Sequence, residues 1–387
     1  MRKLKLGAAG LGRAFSLMAE TFARDPRIEL VAGADPREAA RKQFERDFHG
    51  KSFSAVDDLC ALKDLDVIYV ATPHQFHVGN VETACSFKKH VLVEKPMALS
   101  LDECRQMISA AERAGVRLVV GHSHSFDLPI LKTKQLVDSG TFGRVRMITA
   151  VNFTDFLYRP RRPEELDTTR GGGAVFNQAA HQVEVARLLG GGRVKTVRAM
   201  TGDWDPSRPT EGAYCALLAF EDGAFASLAY SGYGHFDSDE FMDWVGELGQ
   251  KKNPDSYGAA RKALKGNEAE LKDSRNYGGN AYVGPSASFH QHFGSLIVSC
   301  ERADLRPLPG GVMVYADAEK RLEPLPAPKL PRTEVIDELY GAVVDGRPPL
   351  HDGAWSMATL EVCLAILESA RARKEVPLSH QTSASRT

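Results

Sequence analysis

The stretch Leu4-Lys5-Leu6-Gly7-Ala8-Ala9-Gly10-Leu11-Gly12-Arg13-Ala14 decides the fold. A short apolar run, Lys3 to Ala9, ends in closely spaced glycines, and an amphipathic stretch, Arg13 to Arg24, begins at once. Strand, glycine turn and helix in that order aim backbone N–H groups and the positive end of a helix at one point. Glycine there lets a pyrophosphate come close to the backbone. The spacing Gly7, Gly10, Gly12 is a variant, and alone such a turn could be simple punctuation. A second signal stands about 20 residues further on, where a dinucleotide site expects an acid at the end of the second strand. Asp35, in Ala34-Asp35-Pro36, occupies that place. Its carboxylate would accept the ribose hydroxyls and repel a 2′-phosphate, which favours NAD over NADP. Gly10, Leu11, Gly12, Arg13, Ala14 and Asp35 are therefore the expected cofactor contacts. Arg37 could meet a phosphate; its plainer reading is a solvated first-turn arginine.

Outward from this unit the pattern repeats. Apolar runs at Glu29 to Ala34, Val67 to Ala71, His90 to Val93 and Leu118 to Val120 read as buried parallel strands. Amphipathic stretches at Pro36 to Phe48, His77 to Phe87 and Leu101 to Ala114 are long enough for crossover helices. The first 125 residues thus read as a doubly wound α/β domain of Rossmann type. A helix from Pro129 to the Ser139-Gly140 stop follows. The texture then changes: Val145 to Phe153, Val194 to Gly202, Ala213 to Phe220 and Ala224 to Tyr230 are strand-like and separated by Gly, Pro and Asp turns. They predict an open, mostly antiparallel sheet in an α+β domain over residues 126 to 380. One helix, Ala174 to Leu189, interrupts it. Residues 236 to 292 look like an insertion, strands resume at Gly294 to Cys300 and Gly311 to Tyr315, and two helices lie within 334 to 373.

Composition removes several classes of function. Forty-nine Lys plus Arg against fifty Asp plus Glu leave a net charge of −1, so no global field exists to hold nucleic acid or an anionic membrane. No apolar run is long enough to span a bilayer, and a soluble, cytoplasmic chain is expected. The six cysteines form no CxxC pair, so neither a disulfide framework nor a structural metal is expected. His290-Gln291-His292 and His235-Phe236-Asp237 lack an ordered third ligand, and no metal site is assigned.

Two later strand ends carry chemistry: Ala71-Thr72-Pro73-His74-Gln75-Phe76-His77 and Val93-Glu94-Lys95-Pro96. Ligands of open α/β sheets sit at the carboxyl ends of strands, so Thr72, Pro73, His74, His77, Glu94 and Lys95 are expected at the cofactor cleft. A lysine between a buried strand and a proline would be partly desolvated, able to exchange a proton or bond an alcohol oxygen. The bland alternative is a lysine snorkelling to solvent.

These residues together, above all Glu94-Lys95-Pro96, resemble the Gfo/Idh/MocA oxidoreductases. The likeness continues through Phe126 to Pro129, Gly143-Arg144-Val145, Gly346-Arg347-Pro348-Pro349 and Glu368-Ser369-Ala370, while 236 to 292 has no recognised counterpart. The resemblance implies a second domain with an open sheet, and an Asp-x-x-x-His pair that joins the lysine in catalysis. The matching positions here are Asn177 and His181, which i, i+4 spacing would put on one helix face. An amide can orient a hydroxyl or an imidazole but supplies no negative charge. Catalysis is accordingly assigned to Lys95 and His181, with Asn177 beside them.

Gly121-His122-Ser123-His124-Ser125-Phe126 departs from many relatives, and arginines cluster at 159, 161, 162 and 170. Guanidinium pairs with carboxylate, so the cluster suggests an acidic substrate; the alternative is a solvated loop. His122, His124, Arg159, Arg162, Arg170 and Gln178 are the expected substrate contacts. These segments are similar to a branch of the superfamily in aromatic degradation, the phthalate 4,5-cis-dihydrodiol dehydrogenases. That resemblance implies NAD-dependent oxidation of an acidic cyclic cis-diol. Rival readings are a dehydrogenase of inositol or another sugar, and a catalytically silent NAD-binding regulator. A homo-oligomer, dimer or tetramer, is expected through the open sheet.

Overall fold

The computed structural model describes residues 2–264, 266–279 and 287–384. The chain divides into two units, Met1–His122 with Ala269–Pro285 and Leu330–Met357, and Ser123–Glu268 with Ser286–Lys329 and Ala358–Thr387. Part of the expected insertion, residues 265 and 280–286, lies outside the described residues.

The first unit holds a six-stranded parallel sheet of β1 (Leu4–Ala9), β2 (Ile28–Ala34), β3 (Lys51–Phe53), β4 (Val67–Val70), β5 (His90–Val93) and β6 (Leu118–Val120), in the order β3-β2-β1-β4-β5-β6. Leu4, Leu6, all of β4 and Val91 to Val93 are fully buried, as expected for a sheet covered on both faces. The helices lie close to their expected spans, at Arg13–Arg24, Glu38–Phe48, His77–Ser86 and Leu101–Ala114. The last of these begins in a capping box, Ser100 with Glu103, and ends at Gly115 in the left-handed region. Strand β3 and the helix Val56–Cys60 were not legible, because three and five residues are too short to show a period.

Residues 330–357 belong to this unit rather than to the second, a correction of the expected boundary. Their ties are polar and distant in sequence. Thr21 donates to the Pro331 carbonyl, Arg117 to Ala342, Val120 to His351, and the Tyr340 hydroxyl to Arg2. Tyr277 likewise packs edge-on against Phe15 and donates to Asp47 at 2.6 Å.

The second unit is built on nine strands: β7 (Val145–Phe153), β8 (Val194–Gly202), β9 (Ala213–Phe220), β10 (Phe225–Ser231), β11 (Ser295–Cys300), β12 (Ala303–Leu308), β13 (Gly311–Ala316), β14 (Lys320–Pro324) and β15 (Val376–Pro377). Their order is β14-β13-β12-β11-β7-β10-β9-β8-β15. All neighbours are antiparallel except β7 and β10, which run parallel. Strands β12, β14 and β15 were not expected; Pro307 and the charges of Lys320-Arg321-Leu322-Glu323 hide the alternation. Every residue of the helix Ala180–Leu189 is buried. On the other side, alternation leaves Met147, Met200, Leu217, Phe225 and Ile297 exposed. Phe225 pairs with Met147, and one row of the register carries Leu217, Ser227, Thr149 and Ile297.

Candidate active site

In the first unit the glycine turn is fixed by steric necessity. Gly10 has φ +93°, and a Cβ there would lie 2.7 Å from the Ala71 carbonyl oxygen. A side chain at Gly12 would meet nothing within 4 Å, so open space lies at the N-terminus of the helix Arg13–Arg24. Gly12, Arg13 and Ala14 border that space and are partly exposed, while Leu11 is buried as an anchor. A phosphate pair suits such a cradle.

Asp35 closes the site. Its Oδ2 accepts the Leu11 N–H at 2.8 Å and its Oδ1 accepts the Arg37 N–H at 2.8 Å. Arg37 is not the solvated residue its position suggested. It folds back onto Asp35 through Nε at 3.0 Å and a terminal nitrogen at 3.1 Å, and donates to the Leu11 carbonyl at 2.7 Å. The guanidinium thus ties the end of β2 to the glycine turn. All four acceptor sites of the carboxylate are thus taken, so a ribose hydroxyl would enter by displacing a guanidinium bond of Arg37.

Thr72, Pro73, His74 and Lys95 are all partly exposed at the ends of β4 and β5. Two other expected contacts are turned inward instead. His77 is fully buried; Nε2 lies 2.9 Å from the Thr72 carbonyl, and Nδ1 lies 3.1 and 3.2 Å from those of Pro96 and Met97. Burial lowers its pKa. It is a strap between the Thr72 and Lys95 turns, not an exposed ligand. Glu94 is also buried, accepts the Tyr69 hydroxyl at 2.6 Å, and has its pKa raised by burial. The expectation of cofactor contact by these two side chains is corrected accordingly. A continuous apolar strand gives no sign of which polar residue at its end faces in. His122, expected to touch substrate, is likewise 97% buried, since only 3% of its surface is exposed.

In the second unit, Asn177 does not sit in an ordinary α-turn with His181. Val175–Ala179 is a π-helical turn, and the α-helix begins only at Ala180. The wider turn alters the expected i, i+4 stacking, and such turns recur at functional sites. The Asn177 amide donates to the carbonyls of Gly173 at 2.8 Å and Gly171 at 3.3 Å. Gln178 is buried in the same turn.

His181 stands in a cluster of rings. Its centroid is 4.7 Å from that of His124 and 4.9 Å from that of Phe293, and His124 and Phe293 are themselves 4.9 Å apart. Tyr230 lies parallel to Phe293 at 6.2 Å. His124 Nδ1 meets the Asp127 carboxylate at 2.6 Å, with both side chains buried. Phe293, Tyr230 and Asp127 escaped the sequence reading; only tertiary folding brings them to His181. A cavity lined by His124, Gln182 and Phe293 lies beside this cluster.

The arginines are not a pool of unmatched cations. Arg159 donates to Asp155 at 2.8 Å and to Glu247 at 3.3 Å. Arg161 stacks on Phe156 and donates to its carbonyl at 2.8 Å, with Glu165 at 3.8 Å. Arg162 faces Glu164 at 3.1 Å and Glu165 at 3.6 Å. Arg170 is exposed, with Asp167 as its charged neighbour. Burial pushes the Glu247 pKa up, but Arg159 and His124 more than offset this and hold it low. The expectation of an arginine cluster for substrate contracts to Arg170. Among the described residues no group of side chains is arranged to hold a metal ion.

A glycine cradle closed by an acid at the end of β2, a lysine turn at the end of β5, and an open second sheet backed by a histidine helix decide the family. The chain belongs to the GFO/IDH/MocA oxidoreductases. The family's NAD-binding Rossmann fold matches residues 4–122, and its C-terminal domain matches 130–250. The chain is 48% identical over 377 residues, 95% of each chain, to 1-carboxy-3-chloro-3,4-dihydroxycyclohexa-1,5-diene dehydrogenase of Comamonas testosteroni. It is 26% identical to myo-inositol 2-dehydrogenase of Thermotoga maritima over 64% of this chain and 73% of the other. A crystal structure of a protein from Bordetella bronchiseptica RB50, assigned as a dehydrogenase, superposes with a TM-score of 0.93 at 45% identity. The match covers 97% of this chain and 100% of that one. The protein is thus an NAD-dependent dehydrogenase of this family.

Proposed function

We propose that the protein oxidises a ring-carboxylated cis-dihydrodiol to the corresponding catechol, with phthalate 4,5-cis-dihydrodiol as the member that the sequence resemblance singles out. The observation that carries this reading is near-full-length similarity to a dehydrogenase whose name specifies a carboxylated dihydroxycyclohexadiene.

NAD, when bound, supplies the hydride acceptor; Gly10 to Ala14 and Asp35 are the residues that would hold it. Lys95 and His181 take the hydroxyl proton as the carbinol carbon becomes a ketone. The ketone tautomerises to a catechol, and aromatisation drives the step forward. Asn177 keeps the Gly171–Gly173 turn in place ahead of His181. Arg170 takes a substrate carboxylate.

The exposed sheet face that carries Leu217, Ile297, Phe225 and Met147 supports assembly of a homo-oligomer through the open sheet. A cytoplasmic setting, where NAD is recycled, goes with this reading. Among the described residues no helix is long and apolar enough to cross a membrane.

Following NADH formation with phthalate 4,5-cis-dihydrodiol, a monocarboxylated dihydrodiol, myo-inositol and an aldose tests the reading. Carboxylated diols should be oxidised and neutral polyols should be poor. Faster oxidation of inositol would replace the proposal with the sugar-dehydrogenase reading.

A further inference from the structure

The helical stretch that carries His181 follows Gly171-Gly172-Gly173-Ala174, a run with no polar side chain to cap it. A helix start leaves its first N–H groups without partners in the helix, so acceptors must come from elsewhere. Glu211, two residues before β9, supplies two. Its backbone carbonyl accepts the Ala174 N–H at 2.9 Å, and its side-chain Oε1 accepts the Val175 N–H at 2.9 Å. The carboxylate is packed against the Gly173 backbone, which has φ +81° and no space for a Cβ beside Oε1.

The second oxygen turns to a different segment. Oε2 accepts the Thr168 hydroxyl, and the Thr210 hydroxyl lies 3.2 Å from Oε2 and 2.8 Å from that of Thr168. Thr168 opens the single turn Thr168–Arg170, which closes on Asp167: the Asp167 carboxylate accepts the Thr169 N–H at 2.9 Å and its carbonyl accepts the Arg170 N–H at 3.0 Å. Thr169 and Arg170 are exposed, whereas Thr210 and Glu211 are buried. One buried side chain therefore bonds both the turn that presents Arg170 and the turn that leads into Asn177, Gln178 and His181.

We propose that Glu211 is a positioning residue that fixes the Arg170 turn against the start of the His181 helix, so that carboxylate capture and proton transfer act on one substrate pose. The inference rests on the roles given above to Arg170 and His181. A short exposed turn carrying a long arginine needs an anchor in the rigid part of the fold, and the hydroxyl of Thr168 reaches one. The same anchor sets where the helix begins, and an error of about 1 Å in such placement can cost about a hundredfold in rate. Peptide dipoles at a helix start favour an acidic partner there.

Steady-state kinetics with a carboxylated dihydrodiol and saturating NAD separate the two ends. Thr168→Val removes the hydroxyl at equal size and should raise KM about three- to tenfold, with a smaller effect on kcat. Added to Arg170→Met, it should change KM no further, because the threonine acts through the arginine. Glu211→Met cuts both ties, and should lower kcat by about ten- to a hundredfold as well as raise KM. Glu211→Gln keeps an acceptor for Val175 and a polar partner for Thr168, and should recover most of kcat. A lower Tm with wild-type KM and kcat in Glu211→Met, or additive KM changes in the double variant, would overturn the proposal. If Glu211→Met fails to fold, Thr168→Val and the double variant carry the measurement. The underlying reading fails separately: unchanged KM in Arg170→Met alone removes Arg170 from substrate binding. Hydrogen exchange then still decides the coupling, since residues 167–172 and 174–179 should both exchange faster in Glu211→Gln than in wild type by less than in Glu211→Met, and only the first segment in Thr168→Val. Unchanged exchange in Glu211→Met would leave the two turns independent and the proposal overturned.

Discussion

The two units build their functional residues in opposite ways. In the first, backbone atoms at the ends of β1, β4 and β5 do most of the work. Gly10 has no room for a side chain, the Leu11 N–H and carbonyl hold Asp35 and Arg37, and three carbonyls hold His77. In the second, side chains from distant segments hold one another: His124 with Asp127, His181 with Phe293, and Arg159 with Asp155 and Glu247. A site made of backbone follows from local sequence and tolerates replacement of many side chains. A site made of buried charges depends on every partner, since removing one strands the other.

The largest effect tests whether the backbone-built turn carries the chemistry. Lys95→Ala should lower kcat by roughly two to four orders of magnitude, with NAD affinity by fluorescence little changed. Near-normal turnover would remove Lys95 from the mechanism. A loss of fold would break the contrast, because His77 bonds the carbonyls of Thr72, Pro96 and Met97 around the turn.

Arg159→Met probes the other side. It leaves the half-buried Glu247 without its main cation and should cost about 1 to 3 kcal/mol of stability by denaturant unfolding. Arg170→Met, on an exposed loop residue, should leave stability unchanged and raise KM for a carboxylated diol by roughly tenfold. If Arg159→Met instead raises KM at unchanged stability, Arg159 is a substrate ligand and the division between structural and binding arginines fails.

The cofactor end gives a smaller effect. Wild-type enzyme should prefer NAD to NADP by about tenfold or more in kcat/KM, about 1.4 kcal/mol. Asp35→Ser should narrow or reverse that ratio, because it removes the repelling carboxylate and frees the Arg37 guanidinium for a 2′-phosphate. Equal use of both cofactors by the wild type would sink the assignment of Asp35.

This contrast also explains what could be read from the chain beforehand. Gly10, Asp35, the Lys95 turn and the main strands announce themselves through spacing and period, because backbone geometry demands particular residues at particular intervals. His77 and Glu94 were placed at the correct turns but with the wrong orientation, since an inward and an outward polar residue at a strand end look alike. The pairing of Arg159 with Glu247 could not be read at all. Glu247 is 88 residues from Arg159, and no local pattern links them. The return of 330–357 to the first unit was hidden for the same reason: its anchors are single hydrogen bonds to residues hundreds of positions away.

The smallest effect asks whether side-chain dependence extends through the second unit, to the segment around Ser379–Gln381. Glu361 receives the backbone N–H groups of Ser379 at 2.8 Å and His380 at 2.9 Å, and the Gln381 amide at 2.7 Å. Burial pushes this carboxyl up, but the bonds from Gln381, Ser379 and His380 more than offset it, and its pKa falls below the ordinary 4.5. A depressed carboxylate contributes stability that is fully present above the unfolded pKa and is lost as pH falls through the folded one. Glu361→Gln should therefore cost about 1 to 2 kcal/mol near neutrality, and the gap from wild type should close as pH drops below about 4. Hydrogen exchange at the Ser379 and His380 amides reads the same event locally: both should exchange faster in the variant at neutral pH, with turnover unchanged. Equal exchange in variant and wild type at neutral pH would show that the tail is held by its backbone, as the first unit's turns are, and the distinction between the two regions would end at the ring cluster around His181.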